Sequence, residues 1–292
     1  MLAIPEVARI SLKRILFPTD FSPASNAALP FALALARIYG STLLVTHIIP
    51  PGPHPEVSFD RLPAQDDRVW GDARHKLDEW TRHSSIRDTP CTQLLERGDL
   101  ATVIPEMIRE HTVDLVVLGT HGRRGVSKLV LGSDAEKIYR SASCPVLTVG
   151  PKVHAGEWRL DRILCPVDVV ENPEPFLHYA LSLAEKNQAQ FIVLQAVPLV
   201  PWQHRASVEA QMCERLEKMI PESAKDWCTP QCWVRWEHPA EAVLLAAAER
   251  EVDLIVMGVR KAKATALSSH LPWPVASEVV SRAPCPVLTV RV

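Results

Sequence analysis

Gly119, Gly122, Gly132 and Ser133 are the residues whose types and spacing point most directly to chemistry in this chain. They follow the apolar run Leu115–Leu118 and precede Asp134-Ala135-Glu136-Lys137-Ile138, which has the composition of a helix start. Glycines let a backbone approach an anion closely, and the unpaired N–H groups of a helix N-terminus point at it. Ser133 is expected to cap that helix, with Glu136 three residues on completing a capping box. Strand, glycine-bearing loop and helix start together suit a phosphate. The competing reading is a turn punctuated by glycines ahead of an ordinary cap. Two other nucleotide signatures are excluded. There is no Gly-x4-Gly-Lys-Ser/Thr run, and Gly119-Thr120-His121-Gly122 is not Gly-x-Gly-x-x-Gly.

The elements that must position these residues occur twice. Arg14-Ile15-Leu16-Phe17-Pro18-Thr19-Asp20 answers to Arg162-Ile163-Leu164-Cys165-Pro166-Val167-Asp168. Val113–Gly119 answers to Val252–Gly258, and Cys144–Val149 to Cys285–Val290. Repeats of this size indicate paired domains, because solenoid units are far shorter. The expected domains are 1–152 and 153–292, divided in the aperiodic stretch Gly150–Trp158. In the first copy, strands are expected at Ile15–Phe17, Thr42–Ile49, Cys91–Leu95, Leu115–Leu118 and Val146–Val149. Helices are expected from Ser22-Pro23 to Gly40, over Val69–His83, Ala101–His111 and Ser133–Ser141. Pro30 should kink the first helix or shift its start. Unbroken apolar strands alternating with helices imply a parallel, doubly wound α/β sheet, with ligands beyond the carboxyl ends of the strands.

Composition removes several classes. Lys+Arg 32 against Asp+Glu 34 leaves no basic field for nucleic acid. Met1–Arg14 lacks the apolar core of a signal peptide, and no 18-residue apolar run suggests a membrane span. Seven cysteines at irregular spacing argue against a disulfide framework and for a reducing, cytoplasmic setting. Cys228-x3-Cys232 lacks the second ligand pair of a zinc site, and Cys144 and Cys285 are expected to be small buried residues.

At Pro18-Thr19-Asp20-Phe21-Ser22, Leu118-Gly119-Thr120-His121-Gly122-Arg123, Gly132-Ser133 and Ser143-Cys144-Pro145-Val146, the chain resembles the universal stress protein family in its tandem two-domain form. Nucleotide-binding members carry Gly-x2-Gly-x9-Gly-Ser/Thr, which Gly119, Gly122, Gly132 and Ser133 match. The resemblance implies a Rossmann-like, adenine nucleotide alpha hydrolase-like fold. It also implies a site for ATP, or AMP or ADP, with a divalent metal such as Mg2+. Pro18, Thr19 and Asp20 would lie at the adenosine end, and Ile48 would offer backbone groups to the adenine. Gly119, Thr120, His121, Gly122, Arg123, Gly132 and Ser133 would hold the phosphates. The expected partners are the nucleotide and an unidentified protein, and the expected assembly is a homodimer or an intramolecular domain pair.

Several residues carry two readings. Asp20 either meets ligand or caps the helix near Ser22. His121 is either a general base or an exposed loop residue, and Arg123, Arg124 and Lys128 either neutralise phosphate or solvate a loop. Asp134 favours the helix dipole but would repel a phosphate if it faced one. Pro50–Pro63 is either a lid or a passive loop. In the second copy Asp168 and Gly258 remain, but Val259-Arg260-Lys261 replaces the Thr-His-Gly step and no Gly-Ser pair follows. That half is read as structural or partner-binding. Regulation by bound nucleotide leads; slow ATP hydrolysis and a nucleotide-free interaction module are the rivals.

Overall fold

A computed structural model of the chain describes residues 10–51, 63–86, 88–120, 133–154, 156, 158–169, 173–198, 200–259 and 273–291. Of these, the residues within 11–146 form one compact unit, and those within 147–292, with Ile10, form a second.

The first unit runs β1 (Arg14–Pro18), α1 (Pro23–Tyr39), β2 (Thr42–Ile49), α2 (Pro63–His83), β3 (Cys91–Arg97), α3 (Leu100–Glu110), β4 (Leu115–Gly119) and α4 (Ser133–Ser141). Its strands lie in the order β3-β2-β1-β4, every resolved pairing parallel. Leu115–Leu118 are all buried, as a strand covered on both faces requires. The Val116 N–H donates to the Pro145 carbonyl at 3.0 Å, just ahead of β5 (Val146–Val149). The second unit repeats the plan with β6 (Arg162–Pro166), α5 (Glu174–Asn187), β7 (Gln190–Ala196), α6 (Arg205–Met219), β8 (Gln231–Arg235), α7 (Pro239–Glu249), β9 (Leu254–Val259), α8 (Trp273–Arg282) and β10 (Val287–Arg291). Its strand order is β10-β9-β6-β7-β8, again parallel. The doubly wound, tandem Rossmann-like architecture expected from the alternating pattern is the one observed.

Local rules explain most boundaries. Ser22 caps α1 in extended geometry, accepting from the Ser25 N–H at 3.2 Å, and Pro23 occupies the first helical position. Ala28, Phe31 and Leu35, spaced by three and four, are buried on one face, and Ile38 is half-buried. Gly40 ends the helix at φ 66°. Pro30 leaves the start of α1 at Pro23, and the helix runs on through it, packing of its apolar face outweighing one lost hydrogen bond. Two expectations need correcting. α2 begins at Pro63, six residues before Val69. Its first turns are polar and lack apolar period, yet Pro63 in the first position and Asp66 and Asp67 near the N-terminus favour helix there. α4 takes in Ser133 as its first residue, one position earlier than a cap at Ser133 would give.

The duplicated Val-Asp pairs have a common structural role. One Asp114 oxygen accepts the Lys13 and Arg14 N–H groups at 2.7 and 2.9 Å. One Asp253 oxygen accepts those of Asp161 and Arg162 at 3.0 and 2.8 Å. Each carboxylate thus ties the start of its unit's first strand to the start of the adjacent inner strand. Burial raises the Asp253 carboxyl, and the two backbone donors pull it back. Asp114→Ala and Asp253→Ala should each cost about 1–3 kcal/mol of stability, with the Asn variants less affected because an acceptor oxygen remains. Urea unfolding of the full chain measures this; Ala variants as stable as wild type would contradict it.

Candidate functional site

In the first unit the chain passes from β1 outward to β2 and β3, then returns to place β4 on the other side of β1. That reversal makes the gap beyond the carboxyl ends of β1 and β4 the switch point where doubly wound sheets bind ligands. Pro18 ends β1, and Thr19 and Asp20 follow it. Gly119 ends β4, and the buried Thr120 follows it. Asp20 and the start of the glycine segment therefore leave neighbouring strands at the same edge. Ile48 belongs to this edge through its backbone. The Thr46 carbonyl accepts the Thr19 N–H at 2.8 Å, and the Ile49 carbonyl accepts the Gly98 N–H at 3.0 Å. Alternation along β2 then turns the Ile48 N–H and carbonyl to the β1 side, past the point where β1 has ended.

The loop after β1 is heavily constrained. Asp20 is half-buried, and its Oδ1 accepts the Ser22 N–H at 3.0 Å. Asp20 thus orders the residue that caps α1, while Ser22 supplies the cap itself. Phe21 stands at φ 63°, a left-handed conformation that costs a residue with a Cβ. Its ring lies 4.6 Å from that of His47 and 6.0 Å from that of Trp80, with the Lys76 ammonium 4.8 Å above it. The Trp80 indole N–H donates to Asn26 at 2.8 Å, and His47 Nδ1 meets the Thr19 carbonyl at 2.8 Å. This aromatic support is not legible along the chain, because its members come from the loop after β1, from β2 and from α2.

Gly119 is required for packing. A Cβ there would stand 2.2 Å from the Ala24 carbonyl oxygen in the first turn of α1. The glycine therefore permits the helix to approach the strand end. His121, Gly122, Arg123, Arg124, Lys128 and Gly132 lie outside the described residues, as does most of Pro50–Pro63, and the Ser133 side chain is likewise not described. On either side of the glycine segment, Asp99 caps α3 through the Ala101 N–H at 3.0 Å and pairs with Lys137 of α4 at 3.1 Å. The hydrogen bond from Lys137 holds the Asp99 carboxyl below its ordinary range. Asp134 is exposed in the first turn of α4.

A family model described as the universal stress protein family matches residues 11–150 and again 159–291. The chain belongs to this family. A universal stress protein of Methanocaldococcus jannaschii is 28% identical over 141 residues, 47% of this chain and 81% of that protein. Universal stress protein A homolog 1 of Coxiella burnetii is 31% identical over 143 residues, 48% of this chain and 97% of that one. Among solved structures, a universal stress protein from Archaeoglobus fulgidus shares the fold with a TM-score of 0.69 at 17% identity, covering 95% of this chain and 98% of its own.

Within this tandem member of the family, the second unit keeps the frame and changes the contents. Gly258 survives without its loop because packing requires it: a Cβ there would stand 2.4 Å from the Phe176 ring of α5. Val167 replaces Thr19, and the Val169 N–H is accepted by Gln195 Oε1 at 2.7 Å. Val259, at the position of Thr120, is buried within β9. Lys261, Lys263 and Ser268–Pro272 lie outside the described residues. All seven cysteines are free thiols. Burial pushes Cys285 and Cys165 well up and Cys228 and Cys232 up to about 11, so these thiols are protonated near neutral pH. Cys144 is half-buried rather than fully buried. Among the described residues, no helix is long and apolar enough to cross a membrane.

The two glycines should differ when a methyl is added. Gly119→Ala drives a Cβ into helix backbone, whereas Gly258→Ala meets a ring that can turn. We expect losses of about 2–4 and about 1–3 kcal/mol respectively. Thermal unfolding of both variants checks the order, and a Gly119→Ala chain as stable as wild type would contradict the packing role.

Proposed function

We propose that this universal stress protein is an adenine-nucleotide-binding regulatory protein of the stress response, with its site in the N-terminal domain, 1–152. The observation that carries the reading is the switch point between β1 and β4, where Asp20 and Gly119 leave adjacent strands. The Gly-x2-Gly-x9-Gly-Ser spacing that begins at Gly119 supplies the phosphate end. Pro18, Thr19 and Asp20 form the adenosine end, with Asp20 offering carboxylate to a ribose hydroxyl. The outward backbone groups of Ile48 suit the donor and acceptor edge of adenine. Gly119, Thr120, His121, Gly122, Arg123, Gly132 and Ser133 would hold the phosphates of ATP, ADP or AMP, where Mg2+ would neutralise phosphate charge. The C-terminal domain, 153–292, has lost the second glycine and the Gly-Ser pair, so it serves structure or partner binding.

In this reading the protein acts in the cytoplasm, as a homodimer or an intramolecular domain pair. Nucleotide binding biases the segment between Gly119 and Gly132, and a protein partner reads that surface. Mass spectrometry of small molecules released by denaturing the purified chain tests it, together with Gly122→Val and Gly132→Val. The expected result is adenine nucleotide from wild type and none from either variant. A wild type that carries none and takes up no added ATP would leave a nucleotide-free interaction module in its place.

A further inference from the structure

We propose that Thr19 serves the adenosine end as a positioning residue, holding Asp20 in its nucleotide-binding arrangement through the Phe21 amide rather than through a contact of its own hydroxyl with nucleotide. The proposal rests on the nucleotide reading above. Thr19 is only 5% exposed. Its Oγ1 accepts the Phe21 N–H at 3.0 Å and lies 3.1 Å from Ser25 Oγ. Ser25 Oγ is in turn 3.0 Å from the Ser22 carbonyl, which can only accept. Each hydroxyl has one proton, so the direction of the chain is fixed. Phe21 N–H donates to Thr19, Thr19 to Ser25, and Ser25 to the Ser22 carbonyl. Asp20 sits between the two anchored residues, with its own carboxylate on the Ser22 N–H. A left-handed Phe21 persists only where its surroundings hold it, and its amide and ring are both held.

The second unit supplies the internal comparison. Val167 occupies the position of Thr19 and has no hydroxyl to offer the amide two residues on. The side chain that takes that amide is Gln195, which stands where the first unit has His47. Gln195 also donates to the Ala196 carbonyl at 2.8 Å, so both ends of its amide are engaged. Val169 has no positive φ, as expected for a β-branched residue. The two units thus satisfy one otherwise orphaned amide in two ways: a hydroxyl two residues before it, or a carboxamide reaching from the end of the second strand. The paired changes Thr19/Val167 and His47/Gln195 read as one compensated exchange.

The test uses the full chain, radiolabelled ATP with Mg2+ in equilibrium dialysis, and hydrogen exchange at the Phe21 amide without nucleotide. Thr19→Val should weaken ATP binding about tenfold and speed that exchange, because a buried donor loses its acceptor. Thr19→Ser should stay within about twofold of wild type. Adding His47→Gln to Thr19→Val should recover most of the loss, a rescue that a ligand-contacting or merely space-filling threonine would not allow. Thr19→Ala gives the same readouts should the valine variant not fold. Wild-type affinity in Thr19→Val, loss in Thr19→Ser equal to that in Thr19→Val, or a double variant as weak as the single would each overturn the proposal. If wild type binds no ATP, the nucleotide reading falls by itself. Exchange at Phe21 then still decides the anchor: faster in Thr19→Val and unchanged in Thr19→Ser supports it, and equal exchange in all three overturns it.

Discussion

The close approach of α1 to the end of β4 is the constraint on which the rest of the first unit depends. β1 must turn into α1 within four residues, and α1 packs back over β1 and, most extensively, over the neighbouring β4. The Ala24 carbonyl comes so near Gly119 that no side chain fits between them. That contact brings the loop after β1 and the loop after β4 to one edge. Asp20 and Gly119 leave adjacent strands at that edge, with α1 packed close against the second of them, before any ligand is considered. The same constraint in the second unit, with the Phe176 ring against Gly258, explains a glycine that has outlived its loop.

Buried polar groups set the second layer of constraint. A tight turn at the end of a buried strand leaves amide groups that water cannot reach, and each unpaired one costs about 1–3 kcal/mol. In the first unit the Thr19, Ser25 and Ser22 chain absorbs them and holds Phe21 in a strained conformation. The aromatic neighbours His47 of β2 and Trp80 of α2 add apolar cover. Order in this loop therefore comes from polar satisfaction and ring packing together.

Duplication makes the physical requirements visible, because the two units meet them with different residues. Gly40 and Gln188 both end their helices in the left-handed region, at φ 66° and 53°. Thr112 and Glu251, each one residue past a helix C-cap, are left-handed at φ 44° and 47°, just ahead of Asp114 and Asp253, which precede β4 and β9. Glycine is the low-strain choice, and tertiary packing holds the others there. Backbone geometry has been kept while side-chain chemistry has drifted.

Residue types and spacing alone carry the fold class, the duplication and the position of most elements. Unbroken apolar strands, caps such as Ser22-Pro23 and matched segments are local signals written in residue type and spacing. The position of α2 was only partly legible, because its first turns are polar and their helical state follows from capping rather than from burial. Continuation of α1 through Pro30 was open as well, since local propensity speaks against it and only packing decides it. Asp20 and Gly119 were readable as candidates by their places after strands. Why they are held as they are emerges only from the packing of distant segments. Gly119 answers to a helix backbone 95 positions earlier in the chain, and Thr19, His47 and Trp80 meet around Phe21 from three elements. Such contacts depend on where elements cross in space, and no spacing along the chain encodes them.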